Sequence, residues 1–148
     1  MALGNMMKGI VSGGMGNYSE VTPEELTKEY GEYLIAGETI TMGFKLVRDV
    51  LIFTNQRLIF FDKQGATGTK MSIESINLRS IVDVKMETSG FGFDDSELTF
   101  TYITSPYYKC NNITMSSHTL EFPKKYNVQK LYRLLQELSY KNHLMLNQ

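Results

Sequence analysis

The segment RDVLIFTNQRLIFFDKQG, residues 48 to 65, constrains the fold more than any other stretch. It holds two four-residue apolar runs, Val50 to Phe53 and Leu58 to Phe61, separated by Thr54-Asn55-Gln56-Arg57. Two such runs this close together form a strand hairpin, and Asn55, which tolerates positive φ, suits a tight turn between them. A strand with one face in water alternates apolar and polar residues; these two do not, so both faces of the hairpin need a cover. Each large apolar side chain gains roughly 1.5–3 kcal/mol when covered. The N-terminal helices can supply that cover within the chain, or a second subunit can supply it between chains.

Around the hairpin, the period of the pattern marks the remaining elements. Val21-Thr22-Pro23-Glu24-Glu25-Leu26 starts a helix: Thr22 is a good N-cap, Pro23 suits the first helical position, Glu25 completes a capping box and Val21 can staple to Leu26. This helix ends near Gly37, or earlier at Gly31. From Thr39 the period becomes two, with Ile40, Met42, Phe44 and Leu46 on one face of a strand that turns through Arg48-Asp49 into the hairpin. Met71 and Ile73 open a fourth strand after a glycine-containing loop. Val82, Val84 and Met86 mark a fifth, and after the Gly90-Phe91-Gly92-Phe93 turn Leu98, Phe100 and Tyr102 mark a sixth. In the seventh, Ile113 and Met115 have odd parity while Leu120 and Phe122 have even, which calls for a bulge or break near Ser116-Ser117. Asn127 then caps a helix with Val128, Leu131, Leu135 and Leu138 down one side. The expected fold is mainly β with α: a seven-stranded antiparallel curved barrel capped by a C-terminal helix. Its parts are an N-terminal helical leader over 1–37, the β domain over 38–141 and a tail over 142–148.

Composition excludes several function classes. A chain of 148 residues suits one domain that hides roughly 70% of its unfolded surface. Fifteen basic residues against sixteen acidic leave no global field for nucleic acid, which is not expected as a partner. Cys110 is the only cysteine, which rules out an internal disulfide or a Cys-rich zinc framework and suits a reducing compartment. No apolar run approaches the roughly 20 residues of a bilayer span, and the start lacks the pattern of a secretory signal, so a cytoplasmic location is expected. Leu3, Met6, Met7, Ile10 and Val11 fall on one helical stripe, weakened by Gly4 and Gly9 at about 1 kcal/mol each. Such a helix forms only against a partner surface.

The order of elements, with GFKLVRDVLIFTNQRLIFFDKQGATGTK (residues 43 to 70) and GNYSEVTPEELTKEY (residues 16 to 30), closely resembles the bacterial pleckstrin-homology-like family. The resemblance implies a pleckstrin-homology (PH) barrel, no known enzymatic activity, and a tendency to form ring-like homo-oligomers.

The residues offer little for catalysis. His118 and His143 share no motif with Cys110, and a metal site wants three or four ligands at fixed spacing. Asp94, Asp95 and Glu97 read as an acidic turn. GATGTK (65 to 70) lacks the Gly-Lys-Ser/Thr ending of a phosphate loop. No catalytic residue, metal or cofactor is expected. Residues 41 to 70 carry Lys45, Arg48, Arg57, Lys63 and Lys70 against Asp49 and Asp62, a net of three positive charges. They are candidates for holding an anionic ligand or partner, set against the plainer reading of solvated cations that guard strands from aggregation. Tyr107 and Tyr108 before Lys109 form a second candidate contact. Leu3, Met7, Ile10, Ile59 and Phe61 are candidates for self-association. The leading expectation is a non-catalytic homo-oligomeric module for a protein or peptide partner; the alternative is attachment to an anionic membrane through the N-terminal stripe and the basic hairpin.

Overall fold

The computed structural model describes residues 20–45, 49–64, 69–88, 90, 96–122 and 126–148. In chain order its elements are β1 (Glu20–Val21), α1 (Pro23–Tyr30), a 3-10 turn (Gly31–Tyr33), β2 (Ile40–Lys45), β3 (Asp49–Thr54), β4 (Arg57–Gln64) and β5 (Lys70–Asn77). A second 3-10 turn (Leu78–Ser80) leads to β6 (Ile81–Glu87), β7 (Ser96–Ile103), β8 (Met115–Phe122) and α2 (Val128–Leu146). The chain divides into two compact units, residues 1–77 and 78–148. Of the leader expected over 1–37, the described residues 20–37 lie in the first unit.

In the first unit the strands lie in sequence order β1-β2-β3-β4-β5, each antiparallel to its neighbours. Val50 pairs with Phe61 and Ile52 with Ile59, so these four share one face; Leu51, Phe53, Leu58 and Phe60 share the other. On the first face Val50, Ile52, Ile59 and Phe61 form one buried cluster with Leu26 and Tyr30 of α1 and with Ile40, and Val21, Leu34 and Met71 pack at its margin. Leu51, Phe53 and Leu58 on the second face are also fully buried. The doubly apolar hairpin is therefore covered on its helix-side face from within the chain.

Thr22 caps α1 as its sequence predicts: its Oγ1 accepts from the Glu25 N–H at 3.3 Å, and Pro23 stands at the first helical position. The helix stops at Tyr30, on the earlier of the two expected boundaries. Two local expectations need correction. Ile40 does not share a face with Met42 and Phe44, because a register shift between Ile40 and Met42 turns Ile40 toward α1. The hairpin turn does not use positive φ at Asn55, since no described non-glycine residue has one. Instead Thr54 Oγ1 accepts from the N–H groups of Gln56 (3.1 Å) and Arg57 (2.9 Å), closing the turn with a side chain. Asn55 is tied down separately, its Oδ1 accepting from Thr39 N–H and its Nδ2 donating to the Gly37 carbonyl.

The second unit has a three-stranded antiparallel sheet in the order β6-β7-β8. Leu98, Phe100 and Tyr102 of β7 are buried as their alternation predicts. α2 packs against β6, and its Leu131, Leu134, Leu135 and Leu138 are all buried. Asn142 is buried beside them and satisfied, donating to the carbonyls of Leu78 (2.9 Å) and Ile81 (2.7 Å). α2 continues to Leu146, so residues 142–146 are helix rather than tail, and the Asn127 side chain makes no capping bond. The expected bulge in β8 is absent: pairing with β7 runs unbroken from Ser96↔Phe122 to Ile103↔Met115. The parity conflict is resolved by exposure, for Ile113 and Met115 are 41% and 54% exposed.

Seven strands of the expected kind are present, with two-residue β1 as an eighth. They hydrogen-bond as two sheets and not as one closed barrel, because the ladder of the first sheet ends at Asn77 and the Leu78–Ser80 turn intervenes before β6 begins.

Candidate functional site

The described basic residues of the hairpin region do not all converge on one point, although Lys45 and Lys63 both act on the Glu29 carboxylate. Lys45 stands at the end of β2, and its Nζ donates to Glu29 Oε2 of α1 at 2.9 Å, with both side chains about half exposed. The hydrogen bond from Lys45 is the main reason the Glu29 carboxyl is held below its ordinary range. Lys63 lies on the helix-side face of β4, opposite Met71, whereas Lys70 is exposed at the start of β5, opposite Gln64 on the other face. Arg57 begins β4, six residues from Lys63, a span of about 20 Å at roughly 3.4 Å per residue. Arg48 lies outside the described residues, as do Leu3, Met7 and Ile10.

Arg57 is committed to a structural clasp. Its Nε and Nη2 grip Glu38 Oε2 and Oε1 at 2.8 and 2.9 Å, its Nη1 donates to Ser75 Oγ at 2.6 Å and its Nη2 donates to the Tyr33 carbonyl at 2.6 Å. Glu38 is buried, and it also accepts from Thr54 Oγ1 (2.7 Å) and from the Ile35 N–H (3.0 Å). Burial alone would raise its pKa; the bonds from Arg57, Thr54 and Ile35 outweigh it and hold the carboxyl at about 2. The clasp joins the segment entering β2 to β3, β4 and β5. Sequence reasoning missed Glu38, whose only signal was an isolated acid just before an apolar strand.

Ile59 and Phe61, 1% and 0% exposed, sit beneath α1, where Tyr30 and Tyr33 approach the Phe61 ring at 4.6 and 5.4 Å between centroids. Desolvation pushes the Tyr30 phenol up to about 12, with the Glu29 charge adding to it. The hairpin's helix-side surface is thus already occupied in a single chain.

The second unit carries the other candidate surface. Tyr107 is 77% exposed, and with Pro106, Tyr108 and Lys109 it borders an open groove of ≈ 490 Å³ against Met145, Leu146 and Gln148 at the end of α2. Lys109 Nζ donates to the Gln148 carbonyl at 3.1 Å across this groove. Cys110 is exposed and its thiol points to the Tyr107 carbonyl at 3.3 Å. The two histidines lie elsewhere: His118 stacks with Phe100 and Tyr102, and His143 Nε2 is 2.6 Å from the Val82 carbonyl. No group of three or more His, Cys, Asp or Glu side chains among the described residues is placed to hold a metal ion. No helix among them is long and apolar enough to cross a membrane. On the outer face of β7 and β8, Thr99 meets Thr119 at 2.9 Å and Thr101 meets Ser117 at 2.8 Å, and beyond the strand end Thr104 meets Thr114 at 2.8 Å, so these hydroxyls satisfy one another.

Both units, with their seven long antiparallel strands and terminal helix, match known proteins. The bacterial PH domain family model aligns with residues 9–139. The chain belongs to the bacterial PH domain family. It is 42% identical over 90 residues to the uncharacterised protein YjqA of Bacillus subtilis, an alignment that covers 61% of this chain and 72% of that one. A PH domain crystal structure from Shewanella amazonensis is similar with a TM-score of 0.65 and 31% identity, over 87% of this chain and 97% of the other. A PH domain protein from Shewanella loihica is similar with a TM-score of 0.62 and 30% identity, over 84% and 98% of the two chains.

Proposed function

We propose that this bacterial PH domain acts by docking a protein or peptide partner and not by chemical turnover. The observation that carries the reading is the exposed Tyr107 beside Lys109, above the groove floored by Met145 and Leu146. Aromatic side chains exposed next to a cation and an apolar floor are the composition enriched in protein interfaces. A lipid headgroup needs several free cations gathered together. Here Arg57 is spent on Glu38, Lys45 is paired with Glu29, and Lys70 lies on the opposite face from Lys63, which supports a protein partner over an anionic membrane.

The test is site-specific photo-crosslinking from position 107, with position 119 on the hydroxyl-lined sheet face as control. A discrete adduct from 107 and none from 119 is expected, and it should be lost in a Tyr108→Ser, Lys109→Glu background. Equal labelling from both positions would reject the groove as the docking surface. Vesicle co-sedimentation with acidic lipid addresses the membrane reading, for which salt-sensitive binding would count. Self-association is proposed as well, following the family resemblance. Ile59 and Phe61 are covered from within, so self-association that leaves α1 in place uses other residues, and sedimentation velocity reads it directly.

A further inference from the structure

α1 holds its place with very few side chains. Of its eight residues only Leu26 and Tyr30 are buried, one turn apart. Leu26 fills a socket whose floor is Gly43: a Cβ at position 43 would collide with the Leu26 side chain and stand 3.0 Å from the Leu51 carbonyl oxygen. Tyr30 lies on the Phe61 ring, and Glu29 between them reaches Lys45 at the rim. The sheet therefore presents three matched features: a glycine-floored socket, an aromatic shelf and a cation. Together they select a helix carrying Leu, an acid three residues on and an aromatic four residues on, the pattern Leu26-Thr27-Lys28-Glu29-Tyr30.

The ties that keep α1 there are weak by comparison with this fit. Eight residues are too few to hold a helix in water without packing. The Glu29–Lys45 pair is half exposed, and such pairs contribute little. The Tyr30 hydroxyl is buried, and the group that acts on it, through charge and hydrogen bonding, is the Glu29 carboxylate of the same helix, a contact that does not tie α1 to the sheet. Among the described residues, backbone pairing upstream of α1 is that of Glu20–Val21 against Phe44 and Gly43. Downstream, the Glu38–Arg57 clasp holds Tyr33, Ile35 and Glu38. Among the described residues the segment is thus held by one two-residue strand pair upstream of α1 and by the clasp downstream of it.

We propose that α1 is a displaceable occupant of a helix-docking groove. The segment Glu20–Tyr30 opens as a unit about its clasped downstream end, and the uncovered face of Val50, Ile52, Ile59 and Phe61 takes up a helix of the same Leu-x-x-Glu-Tyr pattern from a partner protein. This surface is separate from the Tyr107 groove, and the proposal does not rest on that reading.

Native-state hydrogen exchange on the full chain tests the opening, and a fluorescent peptide of residues 20–37 tests the docking. The amides of Leu26–Tyr30 should exchange at least 100-fold faster than those of β3 and β4, and the peptide should bind saturably while its Leu26→Ser version does not. Gly43→Ala, which fills the socket, should speed exchange in α1 at least tenfold, leave β3 and β4 protected, and weaken peptide binding. Exchange of α1 together with β3 and β4 in one event would overturn the proposal, as would rapid opening without peptide binding, or equal binding by the peptide and its Leu26→Ser version. If Gly43→Ala does not fold, the wild-type exchange pattern and the peptide pair still decide.

Discussion

In the β3–β4 hairpin the neighbours Leu51 and Ile52 point to opposite faces and both are fully buried, whereas in β7 the buried Phe100 sits between Thr99 and Thr101, which form hydroxyl pairs on an outer face. The two regions use the same antiparallel ladder with different surroundings. Where α1 lies on a sheet, the strands read as continuous apolar runs; where a face meets water, they alternate. The difference teaches that an unbroken apolar run in an antiparallel sheet reports a cover, and that the cover can be as small as an eight-residue helix.

The contrast can be broken most directly by truncation. Phe61→Ala removes a ring packed under Tyr30 and Tyr33 and should cost about 3–5 kcal/mol in urea unfolding. Next comes the clasp. Glu38→Gln removes the buried charge that Arg57 grips and should cost about 1.5–3 kcal/mol. It should also change the acid limb of stability. The folded pKa of about 2 lies below the unfolded value of 4.5, so the wild-type contribution is complete above pH 4.5 and fades as the pH falls through 2. A slope between those limits that persists undiminished in Glu38→Gln would show that another carboxylate carries it. Smaller is Gly43→Ala, for which overpacking against Leu26 and the Leu51 carbonyl should cost about 1–3 kcal/mol. Smallest is Met115→Ala on β8, expected within about 0.5 kcal/mol because the side chain is 54% exposed. A loss at Met115 as large as that at Phe61 would mean the second sheet has a hidden cover too.

Much of this architecture was legible from local pattern. Thr22, Pro23 and Leu26 announced α1, and the alternation of Leu98, Phe100 and Tyr102 announced β7, because caps and burial periodicity are short-range consequences of backbone geometry. The failures share a cause. Ile113 and Met115 imply a bulge in β8 only if apolar means inward, yet folded proteins expose much apolar surface, and unbroken pairing with β7 takes precedence over parity. Asn55 suggests a turn with positive φ, but the Thr54 hydroxyl satisfies the turn's N–H groups without it. Sequence proximity groups Arg57 with Lys45, Lys63 and Lys70, although strand length places it at the far end of β4 from Lys63.

By itself, the sequence determined that the chain is β-rich, that it opens with a capped helix and closes with an amphipathic one, and that its central hairpin must be covered on both sides. Those are properties of neighbours a few residues apart. Tertiary structure alone decided what covers the helix-side face and where the hairpin's arginine spends its charge. Leu26 meets Gly43, and Arg57 meets Glu38 nineteen residues upstream, contacts set by the register of paired strands and the path of the connecting turn. Local propensity carries no record of either, because the favourable free energy appears only once distant segments share one surface.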